Sequence, residues 1–526
     1  MKRTLFSALM IANVLLAFSQ SGSPDLTFGD NGHVITNPGR NFNRANSVVV
    51  QADGTILAAG SAQDDENNDF GADFAIVKYN SDGTLDQNFG TGGIVITDLN
   101  NLSSDVAQDI ALQSDGKILV AGRTHAGTSF TEYSLAVVRY HADGTIDPTF
   151  GIGGKAFYPI ASMDDYSYEV SMVIQSDGKI LLTGTTMNSG HDTFITVRFS
   201  VEGLVDTSFG SNGKVITSLG ESFDGYPNAI TIQPDGKILV GGVGVGPLSY
   251  GTYADFALVR YLPDGSPDPA FGINGIVLTP VVSGFSAEWV EDLVLQSDGK
   301  IIAAGSASEM NMDRMALVRY NTDGTLDDSF GTSGIVLCLA GSSESYIQGV
   351  ALTADEAITV AGYTKGQGGD NYDFALLRFL PNGSPDTTFG SDGLVIWDLN
   401  LYDGYSDVMI GVDGKIVTAG MTGNSAHEDF IVSRFLDVMT GSPETSDPFI
   451  SIYPNPARDI LSIRLTDHQH IILRLQDLKG KQMLVSYPGS DLTHLNLTGL
   501  PDGVYLLIIE KDQKIVARKR IIRISR

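Results

Sequence analysis

Gln113-Ser114-Asp115-Gly116-Lys117-Ile118-Leu119-Val120-Ala121-Gly122 is a tight turn followed by a short apolar run, and close copies of it recur along the chain. Gln-Ala-Asp-Gly stands at 51–54, Gln-Ser-Asp-Gly at 175–178 and 296–299, and Gln-Pro-Asp-Gly at 233–236. Weaker copies are Thr353-Ala354-Asp355-Glu356 and Gly411-Val412-Asp413-Gly414. A second anchor, Phe-Gly, falls at Phe28, Phe89, Phe150, Phe209, Phe271, Phe330 and Phe389, at intervals of 59 to 62 residues. Self-similarity at a fixed period of this length marks a repeat architecture.

Each copy reads as four strands. In the second they are residues 107–113, 117–122, 134–140 and 155–160, with Asp115-Gly116 as a two-residue hairpin turn. The third strand alternates, as in Phe256-Ala257-Leu258-Val259-Arg260-Tyr261, and glycines interrupt too often for helix. About 60 residues with four strands make too small a core for independent sandwiches, which leaves a solenoid or a propeller. The phase selects the ring. The chain begins its array with a fourth-strand segment, Gly32-His33-Val34-Ile35-Thr36, and ends it on a third strand, Phe430-Ile431-Val432-Ser433-Arg434-Phe435. Seating the first on the second closes a seven-bladed β-propeller and removes two open edges.

The wording Asp-Gly-Lys-Ile-Leu-Val-Ala-Gly, Phe-Ala-Leu-Val-Arg-Tyr and Leu-Asp-x-x-Phe-Gly resembles the delta-60 repeat family of bacterial propellers over residues 24–436. The sixth copy departs from it at Asp355-Glu356. That resemblance implies a fold and no activity.

After Leu436 the register stops. Residues 441–448 have the composition of a linker, and residues 449–526 read as a small antiparallel β-sandwich, Ig-like in architecture. Ile452-Tyr453-Pro454-Asn455-Pro456, Leu475-Gln476-Asp477-Leu478-Lys479-Gly480 and Leu500-Pro501-Asp502-Gly503-Val504-Tyr505 resemble the type A sorting domain of the type IX secretion system of Bacteroidetes. The resemblance implies export across the outer membrane, engagement of that secretion machinery by residues 449–526, removal of the domain, and a remainder attached to the surface or released. At the other end, Met1-Lys2-Arg3 and the apolar run to Phe18 read as a signal peptide over 1–19, cut before Gln20. The propeller is then expected over 20–440, secreted and without a membrane-spanning helix.

The chain carries 33 Lys and Arg against 62 Asp and Glu, a net charge of −29. A surface this acidic repels phosphate backbones and argues against nucleic acid. The single cysteine, Cys338, lies in an apolar run and reads as a small buried hydrophobe.

No catalytic, cofactor or metal signature stands out. His468 and His470 lie in a polar turn, Gly242 to Gly246 reads as a glycine-rich turn, and the acidic run from Asp64 to Asp69 lacks the spacing of a calcium loop. Two sets recur in every copy: the bases Lys78, Arg139, Arg198, Arg260, Arg319, Arg378 and Arg434, and the acids Asp25, Asp86, Asp147, Asp206, Asp268, Asp327 and Asp386. Groups present in every blade are needed to build a blade, so they are expected to pair with one another.

What varies is the better guide to function. The Asp-Gly and Phe-Gly turns share one face, and the irregular connections share the other. That variable face carries aromatics, among them Tyr166, Phe223, Tyr250, Tyr253, Phe285, Tyr346 and Tyr402, with acids such as Glu221. The candidate ligand-binding set is Tyr168, Tyr226, Trp289, Tyr405, Asp164, Asp165, Asp224 and Asp403, since rings beside carboxylates suit sugar stacking and hydroxyl bonding. The leading reading is a non-catalytic binding, adhesion or display module for glycan or protein. Two alternatives stay open: an extracellular polysaccharide-active enzyme using paired carboxylates, and a structural surface or matrix component.

Overall fold

The computed structural model describes residues 20–63, 71–99, 104–125, 132–161, 169–248, 251–282, 286–309, 312–341, 344–366, 371–399, 401–424, 427–437, 450–453, 460–465, 471–477, 481–490, 492–501, 503–511 and 514–523. Among these the regular structure is β-strand throughout. The signal-peptide reading of 1–19, the linker 441–448, the acidic run 64–69 and His468 and His470 lie outside the described residues. The chain divides into two compact units, one ending at Asp437 and one beginning at Val438.

In the first unit the repeat is a four-stranded antiparallel sheet. In the second copy its strands are Ser104–Leu112, Ile118–His125, Glu132–Tyr140 and Lys155–Ala161, paired in chain order. The strands run further toward the variable end than the sequence reading placed them. Sheets of the same order begin at Asn43–Val50, Ser171–Ile174, Asp224–Ile232, Ser286–Leu295 and Ser345–Leu352, two of them joined by a single parallel pair, Ala254 with Ala287. The last sheet holds Tyr402–Ile410, Ile416–Asn424 and His427–Phe435, and its fourth strand is His33–Thr36 from the other end of the array. First strands neighbour one another in turn, and Tyr402–Ile410 lies against Asn43–Val50.

Both faces of each sheet are covered by neighbouring sheets, so the second and third strands are buried nearly all round while the fourth is half-buried. Phe256, Ala257, Leu258 and Val259 are each at most 1% exposed. The alternation read from sequence is therefore one of large and small side chains, not of buried and exposed ones. The partly buried Cys338 packs on this core, and burial pushes its thiol up to about 12.

Gly242 to Gly246 corrects a reading: the segment is not a turn but lies inside the strand Ile238–Leu248. The first strand of most sheets carries a β-bulge, here between Pro227 and Ala229, whose carbonyl leans toward the second strand. A Cβ at Gly242 would overlap the Tyr226 carbonyl oxygen, and one at Gly122 would overlap that of Val106. The recurring glycine is thus a contact requirement.

The recurrent bases and acids form one clasp. Arg139 Nε donates to Asp147 Oδ2 at 2.9 Å, Arg139 Nη1 donates to the Val201 carbonyl of the next sheet at 2.7 Å, and the guanidinium lies 4.6 Å from the centre of the Phe150 ring. The same acid–base pairs close at Lys78–Asp86 (3.1 Å), Arg198–Asp206 (2.9 Å), Arg260–Asp268 (2.8 Å), Arg319–Asp327 (2.8 Å) and Arg378–Asp386 (2.7 Å).

The junction between the two ends of the array repeats these contacts. Arg434 binds Asp25 at 2.8 Å and the Ser81 carbonyl at 2.5 Å, and stands over Phe28. Tyr79 donates to Thr36 at 2.9 Å just as Tyr140 donates to Thr97. The last turn is assembled from both ends: Gly22 N donates to the Leu436 carbonyl, Ser21 Oγ to Asp437, and Arg378 also reaches Asp437.

The second unit has two sheets. One holds Ile450–Tyr453, Ile460–Leu465 and Leu492–Asn496; the other holds Gln482–Ser486, Ile471–Asp477, Gly503–Lys511 and Lys514–Arg523. Leu461, Ile463, Leu473, Leu475, Leu507 and Ile509 form one core with residues from both.

Candidate binding face

The variable end of each sheet carries the connections between second and third strands and those leading into the next first strand. Its groups fall into three kinds: those spent on holding loops, those lining the first strands, and those left half-exposed.

The first kind includes two of the expected ligand residues. Asp403 is fully buried; it accepts the Thr422 hydroxyl at 2.5 Å and the Leu399 amide at 3.0 Å. Tyr405 is 1% exposed and stacks on Phe374 with ring centres 4.2 Å apart. Neither offers surface to a ligand, because the first strand draws its opening residues under the preceding loop. Asp105 does the same work, accepting Leu99 N at 2.7 Å and the Thr124 hydroxyl at 2.5 Å. Carboxylate oxygens of Asp73, Asp98 and Asp105 lie within 4.8 Å of one another, a spacing that a metal ion would fit. Asp105 is already engaged twice in holding its loop.

The second kind joins sheets. Asp109 Oδ2 accepts Met172 N at 2.7 Å, Asp292 Oδ2 accepts Val350 N at 2.8 Å, and Asp407 Oδ2 accepts Val48 N at 2.8 Å. Each spans from one first strand to the next. Burial raises all three, Asp109 to about 7, Asp292 to about 8 and Asp407 to about 6, and mutual repulsion adds to the rise of Asp109 and Asp292. Trp289 is half-buried beside Glu291, which its side chain hydrogen-bonds, and burial with the nearby charge of Glu169 raises Glu291.

The third kind is where surface remains. Tyr226 and Asp224 both contact Asp192: Tyr226 Oη donates to Asp192 Oδ2 at 3.1 Å, and Asp224 Oδ1 accepts Asp192 N and contacts His191 Nδ1, both at 3.1 Å. Asp164, Asp165 and Tyr168 lie outside the described residues. A larger patch is formed by Tyr346, Tyr363, Tyr372 and Tyr402. Ring centres are 4.9 Å apart for Tyr346 and Tyr363, 5.2 Å for Tyr363 and Tyr372, and 5.1 Å for Tyr372 and Tyr402. The hydroxyl of Tyr346 donates to Asp313 and that of Tyr372 reaches Glu344 at 3.4 Å. Sequence reading found Tyr346 and Tyr402 but missed Tyr363 and Tyr372, which lie within strands. A signal was present: the residue after the bulge-facing glycine varies, being Ser61, Arg123, Val243, Ser306, Tyr363 and Met421 in different copies.

Six segments, 51–89, 113–150, 175–209, 233–271, 296–330 and 354–389, match the model of a domain of unknown function (DUF5122) β-propeller. Residues 451–523 match the secretion system C-terminal sorting domain. The chain carries DUF5122 β-propeller repeats and a type IX sorting domain. The repeat propeller and the sorting domain are those that the sequence resemblance implied, the matched family's name being close to the delta-60 name. The sorting domain marks the chain for export by type IX secretion to the cell surface or extracellular space. No curated protein matches the chain. Among solved structures it is similar to Drosophila Semaphorin 2a, at 8% identity over 97% of this chain and 99% of the other with a TM-score of 0.43. It is also similar to the polysaccharide lyase Uly1 (10%, 75% and 90%, 0.43). A third is PorZ, a surface component of the type IX secretion system of Porphyromonas gingivalis (11%, 95% and 82%, 0.23). Scores this low carry no argument about this chain.

Proposed function

We propose that residues 20–440, freed of a signal peptide at 1–19, form a seven-bladed propeller closed by His33–Thr36. It serves as a non-catalytic binding or adhesion module outside the cell. In this reading 441–448 is a linker and 449–526 an Ig-like sandwich that engages the type IX machinery.

The observation that supports the binding role is the inequality of the two ends of the sheets. At the Phe-Gly end the recurring polar groups are paired in the same clasp, copy after copy. At the other end, side chains differ between copies and leave half-exposed rings beside carboxylates, the arrangement that serves glycan or protein recognition. The enzyme alternative draws less support, since Asp403 is buried and Asp224 is engaged within its loop.

The test uses the protein exported by its own pathway, screened against glycan and surface-protein panels and assayed for polysaccharide cleavage. Saturable binding without cleavage is expected. Cleavage of any polysaccharide on the panel, or no binding to either panel, overturns the proposal. Deleting 449–526 should retain a folded protein inside the cell envelope.

A further inference from the structure

We propose that the tyrosine patch of Tyr346, Tyr363, Tyr372 and Tyr402 is a subsite for a glycan that carries free amino sugars. This rests on the binding role above and gives it a place and a ligand class.

The geometry supplies the ring-stacking half of the argument. The four rings form one continuous chain across two adjacent sheets, with Tyr346, Tyr363 and Tyr372 from the sixth sheet and Tyr402 from the first strand of the seventh. Tyr402 is 38% exposed and the other three are half-buried, so the patch offers an aromatic shelf and not a core. A pyranose presents a C–H face to such a shelf and its hydroxyls to the rim.

Charge supplies the other half. Two of the tyrosine hydroxyls point to carboxylates, Asp313 and Glu344. The local base, Lys365, is engaged with Glu344 at 3.4 Å, and Arg44, which also acts on Tyr363, is paired with Glu428 at 3.0 Å. Rings ringed by acids attract a cation through both the π-face and the carboxylates. A polymer of uronates or sulfated sugars would meet repulsion here, reinforced by the chain's net charge of −29. An ammonium on the sugar ring turns the same charge into attraction.

The exported protein is titrated at pH 6 with four probes: a chitosan hexamer, its fully N-acetylated counterpart, an alginate oligomer and polylysine. The chitosan hexamer should bind best, weaken with salt, and lose at least tenfold in affinity in Tyr402→Ala. Glu344→Gln should erase the preference over the acetylated hexamer while binding of that neutral hexamer stays. Circular dichroism and the melting midpoint of each variant verify the fold. The subsite is overturned if alginate or the acetylated hexamer binds as tightly as chitosan. It is equally overturned if polylysine is preferred, or if Tyr402→Ala leaves chitosan affinity unchanged. If another glycan or protein on the wider panels binds regardless of Tyr402, the subsite fails and the binding role stands; if nothing binds at all, both fail.

Discussion

Replacing Asp25 by Ala tests whether the two ends of the array are held as one ring. Asp25 accepts from Arg434 Nε at 2.8 Å and from Lys415 at 2.9 Å, two residues from the opposite end of the array. Both Asp25 and Arg434 are nearly buried, with side chains 4% and 7% exposed. Removing one partner of such a pair leaves the other charge stranded, at a cost of about 3–5 kcal/mol. Roughly 400 ordered residues unfolding as a unit carry an unfolding entropy near 0.9 kcal/mol per kelvin, so the midpoint should fall by roughly 3–6 °C. Asp147→Ala breaks the equivalent clasp inside the array, where Arg139 binds Asp147 at 2.9 Å, and serves as the internal standard. Differential scanning calorimetry at neutral pH should show comparable losses for the two variants. If Asp25→Ala melts with the wild type while Asp147→Ala does not, the ends are not joined and the variable face has no closed frame. Acid gives a second view. Burial works to raise Asp25, yet hydrogen bonds from Thr27 and Lys415 and the charge of Arg434 outweigh it and hold the carboxyl well below its usual range. A depressed folded value means stability present at neutral pH and lost as pH falls below about 4, and Asp25→Ala should flatten part of that limb.

Three further outcomes follow from the same contacts. Asp109, Asp292 and Asp407, raised to about 7, 8 and 6, stabilise the fold most when protonated, so the melting midpoint should rise as pH is lowered from 9 to about 5. Asp292→Asn, which keeps an acceptor for Val350 N, should reduce that slope, and an unchanged slope would show that these groups ionise freely. Gly122→Ala sets a Cβ against the Val106 carbonyl and should cost more than about 2 kcal/mol in denaturant unfolding, whereas Gly116→Ala, at φ +84°, should cost about 1 kcal/mol. Equal costs would mean the bulge is not where strand pairing places it. Glu356, a non-glycine residue at φ +67° where other copies have glycine, should become more stable as Glu356→Gly by some tenths of a kcal/mol, unless its contact with Ser297 N outweighs the strain; a loss above about 1 kcal/mol would assign it to that contact.

The fold was legible because its rules are written once per repeat. Asp-Gly turns need positive φ, the Arg–Asp pair and the Phe under it recur together, and the offset of His33–Thr36 matched a last sheet that lacks its fourth strand. The site was less legible, and the errors have physical sources. Composition marks which loops vary but not which side chains a loop draws inward. Asp403 and Tyr405, polar or aromatic and near a variable connection, read as surface but sit where a first strand starts beneath the preceding loop. Gly242 to Gly246 read as a turn because glycine usually buys freedom; here it answers to a bulged carbonyl in the middle of a strand.

Tyr363 shows how the two kinds of position are interleaved. It follows Gly362, whose missing Cβ accommodates the Tyr346 carbonyl, so one residue is fixed by the repeat and the next is free to differ. Because strands alternate sides, the fixed glycine and the variable residue point to opposite faces of the sheet. A residue just past that glycine keeps the same backbone position while its side chain ranges from buried, as in Ser306 and Met421, to half-buried, as in Arg123 and Tyr363. In this chain that position holds Arg123 in one sheet, Tyr363 in another and Met421 in a third, on the same backbone frame. Ser306 and Met421 are buried at that position whereas Tyr363 is half-buried beside the other rings, so Tyr363 is the substitution that tests whether a strand position contributes to the proposed subsite. Tyr363→Ser, which installs the residue found at Ser306, should weaken chitosan-hexamer binding several-fold and shift the melting midpoint by less than Asp25→Ala does. A midpoint loss as large as that of Asp25→Ala, with unchanged affinity, would make Tyr363 a packing residue and remove it from the binding face.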